Sequence, residues 1–311
     1  MNVNEGNAKR LYHRLLRRYP ILGAWRPSRL LFGNERPMRM NLRFRRFWRR
    51  CQAAYAGPRP AARSPLVRAA VEALRRNGYY IFPPAQDLSL VRGLAEQVNA
   101  WVVAGYTSVT PGLEEWMIEI TICMTRAPEM VRLLRPEVVQ TLEAYFSSYF
   151  KIYCAEIYRL VPTNDPPQAS GLWHTDNYPP GLLKAMIYLT DTTDANGALR
   201  VHPRPATRWL LRHGFFDRFH ADPFREPLNT RYVSLEAPAG SIVLWDSNLV
   251  HKGTPPTSGQ RDAVAFKFLP SLEPWDRHLA RIGEGINYER RKAQVPYDPT
   301  QIPADPAAVE V

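Results

Sequence analysis

The residues best suited to chemistry are His174, Asp176 and His251. His174-Thr175-Asp176 stands near the head of WHTDNYPPGLLKAMIYLTD, Trp173 to Asp191, a stretch that reads as strand-like. On a strand, residues i and i+2 point to one face with Cα atoms about 6.5 to 7 Å apart, so both side chains can reach one metal ion. A third ligand, His251 from another strand, leaves three coordination positions free. Two imidazoles and one carboxylate with open positions are the facial triad of non-haem Fe(II) oxygen chemistry. Spacing alone is permissive: about 0.3 His-x-Asp matches are expected by chance in a chain of this composition. A second match, His220-Ala221-Asp222, follows a helix-like run, Thr207 to Phe219, and precedes Pro223, which suits a turn better than a central strand. It also lies only 28 residues before His251, too few for the intervening strands, and reads as a decoy.

The surroundings select the first match. His251 directly follows GSIVLWDSNLV, Gly240 to Val250, a strand and turn, and Arg261 lies ten residues further on at the mouth of the next strand. A guanidinium can grip a carboxylate in a bidentate fork, which suits Arg261 to the distal carboxylate of 2-oxoglutarate while the keto acid end chelates the metal. Short β-like runs at Ile152 to Val161, Leu182 to Thr190, Ala198 to His202, Tyr232 to Leu235, Ser241 to Trp245 and Ala263 to Leu269 must position these groups. Ahead of them come helical patterns. Ser64-Pro65 starts one whose apolar face is Leu66, Ala69, Ala70, Ala73 and Leu74, with Asn77-Gly78 as its stop. After a short strand, Tyr79 to Phe82, Asp87 caps another with Leu90, Val91, Leu94, Val98, Trp101 and Val102 inward. Pro136 to Tyr149 forms a third, burying Val139, Leu142 and Phe146. Thr107 to Arg126 shows no clear period and reads as a loop with some order. Helices first and strands afterwards point to a β sandwich or barrel with helices packed outside it.

The formal net charge of +12 is local. Residues 1 to 50 hold 14 Lys or Arg against Glu5 and Glu35, and the rest of the chain has 41 − 14 = 27 basic and 29 − 2 = 27 acidic residues. Ala8 to Tyr19 reads as a basic amphipathic helix. A second follows Pro37, with Met40, Phe44, Phe47, Trp48 and Cys51 on one side and arginines around the remainder. Such helices can lie on an anionic membrane, pack on the protein's own body, or meet nucleic acid, although no nucleic-acid module is recognisable. Residues 57–65, GPRPAARSP, read as a linker. The expected organisation is a basic segment over 1–56, that linker, a main domain over 66–275 and a C-terminal extension over 276–311, whose stretch from Val295 is proline-rich and irregular. Three widely spaced cysteines, Cys51, Cys123 and Cys154, argue against a disulfide framework. With no run of 18 apolar residues and no apolar leader, a cytoplasmic protein is expected, peripheral to the inner membrane face if the basic segment binds there. An Arg-rich transit peptide is the other reading of that segment.

Residues 78 to 270 resemble the phytanoyl-CoA dioxygenase family. The resemblance is carried by Gly78-Tyr79-Tyr80, His174-x-Asp176 with 74 residues before His251, Asn196-Gly197-Ala198-Leu199, and GSIVLWDSNLVHKGTPPTSGQR. It implies a mainly β fold with packed helices around a double-stranded β-helix (jelly roll, cupin-like) core. It also implies Fe(II) held by His174, Asp176 and His251, 2-oxoglutarate bound by Arg261, O2 as co-substrate and ascorbate as a stimulant. Pro203-Arg204-Pro205-Ala206 and Pro256 depart from the family pattern near the expected cavity rim, which puts the substrate in doubt more than the reaction. Asp176, where related halogenases have a small residue, favours hydroxylation.

Substrate contacts are expected from Trp173, Tyr178, Tyr188, Arg200 and His202, the last two suiting an anion. Tyr158 is placed either at 2-oxoglutarate or in the core. Two substrate classes follow: a glycolipid or acidic lipopolysaccharide sugar at a membrane surface met through residues 1–52, a scheme that hydroxylases of the Kdo sugar acid resemble, or a soluble metabolite or natural-product intermediate. A cupin-like hydrolase would use the same three ligands but gives Arg261 no role, and a jelly-roll binding protein would need no ligand cluster. No obligate protein partner is implied.

Overall fold

The computed structural model describes residues 36–57, 64–110, 114–164, 169–176, 181–213, 215 and 221–282. The expected helix at 8–19, Tyr178, His220 and the stretch from Val295 lie outside the described residues. The elements are α1 (Arg36–Ala53), α2 (Pro65–Arg76), β1 (Tyr79–Phe82), α3 (Ser89–Val103), β2 (Thr107–Thr110), β3 (Glu114–Ile120), α4 (Cys123–Arg126), α5 (Pro136–Phe146) and β4 (Tyr149–Leu160). They continue with β5 (Leu183–Tyr188), β6 (Arg200–Val201), α6 (Arg204–Arg212), α7 (Ala221–Thr230), β7 (Val233–Ser234), β8 (Ile242–Asp246), β9 (His251–Lys252), β10 (Arg261–Ser271) and α8 (Trp275–Ile282). A seven-stranded antiparallel sheet runs β1-β8-β5-β10-β4-β3-β2, and a small sheet runs β7-β6-β9. This is the mainly β jelly-roll architecture, with helices packed on the outer face of the large sheet.

The period of two along the central strands divides that sheet into two faces. Val264, Phe266 and Phe268 of β10, Leu183, Ala185 and Ile187 of β5, and Ile242 and Leu244 of β8 join the core beneath the helices. Burying one such side chain contributes about 1.5–3 kcal/mol, so this face anchors the sheet. The alternate residues, Ala263, Ala265, Met186, Tyr188, Val243 and Trp245, turn inward toward Leu199, Val201 and Leu235 on or beside the small sheet. Charged residues of the same parity, Arg261 and Lys267 among them, therefore project between the sheets. A register shift between Lys267 and Phe268, opposite Cys154 and Ile152, keeps Ile152 and Phe268 together on the helix side.

Three local expectations need correction. Thr107 to Arg126 is mostly ordered: β2 and β3 pair antiparallel, and α4 follows. The period was hidden because Glu114, Glu115 and Glu119 interrupt β3, whose Glu119 is nonetheless buried. In α2 the buried face is Val67, Ala70, Val71 and Leu74, while Leu66 and Ala69 are exposed, a rotation that exchanges alanines for the larger valines. The stretch Trp173 to Asp191 is not one strand: an isolated bridge holds His174, and β5 begins only at Leu183. Pro179 and Pro180 supply no amide donors for a ladder.

Other signals hold. Ser64 caps α2, its Oγ accepting from Val67 N at 3.3 Å. The α2 stop is Gly78 at φ 89°, where a Cβ would come within 2.6 Å of the Leu249 side chain. Asp87 accepts from Ser89 N at 2.8 Å at the start of α3. The basic helix α1 puts its apolar side on the body: Cys51 is fully buried, and Trp48 Nε1 donates to Phe146 O at 2.8 Å. Arg45, Arg46, Arg49 and Arg50 remain exposed. Among the described residues no helix is long and apolar enough to cross a membrane.

Candidate metal centre

The site is built where the two sheets meet. His251 opens β9, whose pairing with β6 sets Val201 opposite His251. His174 forms a two-way bridge with it: His174 N donates to His251 O at 2.9 Å, and His251 N to His174 O at 2.8 Å. Asp176 is then fixed by its own amide, which donates to Ser247 O at 3.2 Å. The three side chains converge so that one donor atom from each lies within 4.8 Å of the others. Asp176 Oδ1 is 3.6 Å from His174 Nε2, and Oδ2 is 3.7 Å from His251 Nε2.

Their hydrogen bonds fit a metal. His174 Nδ1 lies 2.7 Å from Leu172 O, and His251 Nδ1 lies 2.8 Å from Leu249 O. A carbonyl can only accept, so each Nδ1 carries a proton and Nε2 is left as the nitrogen that meets the centre, the orientation that metal-binding imidazoles need. Burial, with His174 beside it, depresses His251 to about 3 and keeps it neutral. Burial opposes ionisation of Asp176, but Lys184 and the two imidazoles outweigh it and hold the carboxyl well below the usual range. Two imidazole nitrogens and one carboxylate are the donor set for a divalent ion of the Fe(II) type.

Arg261 belongs to the same cavity, about 250 Å³ in volume, whose walls also include Tyr158, Trp116, Trp245 and Lys184. The guanidinium is only 2% exposed. It donates to Gly197 O through Nη1, and its Nη2 lies 3.4 Å from Tyr158 Oη. The Tyr158 and Tyr188 rings lie 5.6 and 5.8 Å from it. Gly197 stands at φ 99°, and a Cβ there would meet Thr254 O at 2.6 Å, so the carbonyl that orients Arg261 depends on glycine. The guanidinium Nε is buried without a hydrogen-bond partner, a donor directed at something the protein itself does not supply.

Four expected substrate contacts stand elsewhere. Arg200 is engaged by Asp194, at 2.9 Å through Nε, and covers the Tyr232 ring at 5.0 Å. His202 is fully buried behind the site, 3.2 Å from Leu228 O, with its ring 4.6 Å from that of Trp173. Trp173 packs with Leu210, Phe215, Leu228 and Val250. Tyr188 donates to Leu235 O at 2.7 Å and meets the site only as a ring beside Arg261. The sequence offers Trp173 and Tyr188 by nearness along the chain and Arg200 and His202 by a shared strand face, yet on the two-residue β6 it is Val201 that joins the inner core. The sequence reading missed Lys184, Glu156 and Lys267, which line the cavity, and Trp116 on β3.

A family model described as phytanoyl-CoA dioxygenase matches residues 126–263, which include all three ligands and Arg261. No curated protein matches the chain. Among solved structures, the non-haem α-ketoglutarate-dependent carbocyclase SnoK from nogalamycin biosynthesis aligns at 20% identity and TM-score 0.53, covering 76% of this chain and 98% of SnoK. The epimerase SnoN, in complex with Fe3+, α-ketoglutarate and nogalamycin RO, aligns at 16% identity and TM-score 0.51, covering 65% and 83%. EctD from S. alaskensis, in its apoform, aligns at 17% and 0.50, covering 69% and 79%. At these identities the likeness establishes a shared fold.

Proposed function

From the phytanoyl-CoA dioxygenase family domain at residues 126–263, we infer that this chain is an Fe(II)- and 2-oxoglutarate-dependent dioxygenase that hydroxylates an anionic organic substrate. The observation that carries the reading is the convergence of His174, Asp176 and His251 in one cavity with the buried guanidinium of Arg261. A hydrolase would use the three ligands but leaves Arg261 without a task.

Fe(II) and 2-oxoglutarate, when bound, would let O2 act as the oxidant, so that substrate, 2-oxoglutarate and O2 give alcohol, succinate and CO2, with two of the four electrons coming from 2-oxoglutarate and two from the substrate. The protein's part is to hold and exclude. His174, Asp176 and His251 would hold the ion, and backbone hydrogen bonds fix the orientation of both imidazoles. Arg261 receives the distal carboxylate, oriented by Gly197 O and Tyr158 Oη. Trp116, Met117, Met186 and Leu199 give the cavity apolar walls that limit water.

A membrane-surface substrate, such as an acidic lipopolysaccharide sugar, is the narrower form of the proposal. Its support is the four exposed arginines on α1. Because the apolar side of α1 is used on the body, that contact is electrostatic rather than insertive. The test of the reaction is succinate release from 2-oxoglutarate under air with Fe(II). The wild-type chain produces it and His174→Ala does not; release that survives the substitution overturns the reading.

A further inference from the structure

Beyond the metal ligands and Arg261, the cavity holds a second group of charges. Lys184 on β5 and Lys267 on β10 are directly opposed in the antiparallel register, both on the cavity face. Like charges opposed across a sheet destabilise it, so the pair requires compensation. Acids stand beside both: Lys184 Nζ lies 2.6 Å from Asp176 Oδ2, and Lys267 Nζ donates to Glu156 Oε1 at 2.9 Å. Asp176, however, is a metal ligand in the present reading, and its charge is then shared with the ion.

Formal charges on the cavity walls make the excess explicit. Lys184, Lys267 and Arg261 oppose Asp176 and Glu156, which leaves +1. A divalent metal and the dianion 2-oxoglutarate cancel one another and leave that +1 in place. A second observation is independent of charge. Trp245, 3% exposed and directly opposed to Lys184 in the register, lines the cavity, and its indole Nε1 is buried without a hydrogen-bond partner. Native proteins leave few buried donors unmet, and one beside the opposed lysines calls for a ligand that can accept.

We propose that Lys184 and Lys267, together with the indole N–H of Trp245, form the subsite that receives the carboxylate end of a hydroxylated organic acid, the class of substrate this site takes. Glu156 is a positioning residue that holds Lys267. The assignment rests on the oxygenase reading, because it gives the Arg261 side to 2-oxoglutarate.

The full chain is loaded with Ni(II), saturated with 2-oxoglutarate and titrated by calorimetry with glucuronate and with glucose. These probes differ only in a carboxylate or a hydroxymethyl group on the same ring. Glucuronate is expected to bind about ten-fold more tightly, the scale of one charge-assisted hydrogen bond. Lys184→Met and the pair Lys267→Met with Glu156→Gln, which leaves no buried acid alone, are each expected to abolish that preference while still binding 2-oxoglutarate. Trp245→Phe, which removes the donor and keeps an aromatic ring, is expected to weaken glucuronate and spare 2-oxoglutarate; it carries the comparison if the paired variant fails to fold. Equal binding of the two sugars, or a preference unchanged in the variants, overturns the subsite and leaves the oxygenase reading standing. Failure of the wild-type chain to bind 2-oxoglutarate overturns both.

Discussion

His202 is fully buried, and burial depresses its pKa from 6.5 to about 4 against the weaker opposing pull of the Leu228 carbonyl. It is therefore neutral in the folded protein and takes up a proton in the unfolded chain first. The stability it contributes is present above pH 6.5 and is lost as pH falls from there toward 4. The full loss, over the fall from 6.5 to about 4 at about 1.4 kcal/mol per pH unit, is about 3.5 kcal/mol, of which about 2 kcal/mol is gone by pH 5. His251, depressed to about 3, adds a loss of the same sign. The measurement is therefore a difference: urea unfolding of metal-free wild-type and His202→Gln protein, followed by tryptophan fluorescence at pH 7.5 and pH 5. His202→Gln is less stable at pH 7.5 because it disturbs the packing against Trp173, but its decline toward pH 5 is expected to be smaller by about 2 kcal/mol. Equal declines in the two proteins refute the assignment of a neutral, acid-labile His202.

Substitution at Arg261 tests the co-substrate pocket. Arg261→Gln leaves a carboxylate unpaired in a buried site, a loss of about 2–5 kcal/mol, so 2-oxoglutarate affinity for the Ni(II)-loaded chain is expected to fall at least about thirty-fold in calorimetry; unchanged affinity counts against the fork. On the outer surface, replacing Arg45, Arg46, Arg49 and Arg50 together with Gln is expected to weaken binding to anionic vesicles, the 14 − 4 = 10 other basic residues among the first 50 remaining. At about 1 kcal/mol per basic side chain near the membrane, the wild-type chain sediments with phosphatidylserine vesicles at low salt and less at high salt. Equal, salt-independent sedimentation of the two proteins removes the membrane-surface form of the proposal.

How much of this was legible in the sequence depends on whether an element announces its face. The central strands do: β5, β8 and β10 are apolar runs of strand length, and their ranges follow the hydrophobic pattern closely. The metal ligands were found through His-x-Asp and the distant His251, yet the geometry that unites them is a two-residue backbone bridge and not the continuous strand the pattern implied. Arg200 and His202 misled because alternation gives parity along a strand but not which side of a two-residue strand faces the cavity. Lys184, Glu156 and Lys267 were readable by a stricter use of the same rule. Each interrupts an apolar strand, and Lys267 shares the parity of Arg261 on β10, as Glu156 shares that of Tyr158 on β4. A charged residue inside a buried strand is costly unless it is paired or put to use. Once one residue of that parity is assigned to the site, the others should be tested there first. The cost of opposing Lys184 to Lys267 on neighbouring strands is the strongest physical reason to place the bound acid between them.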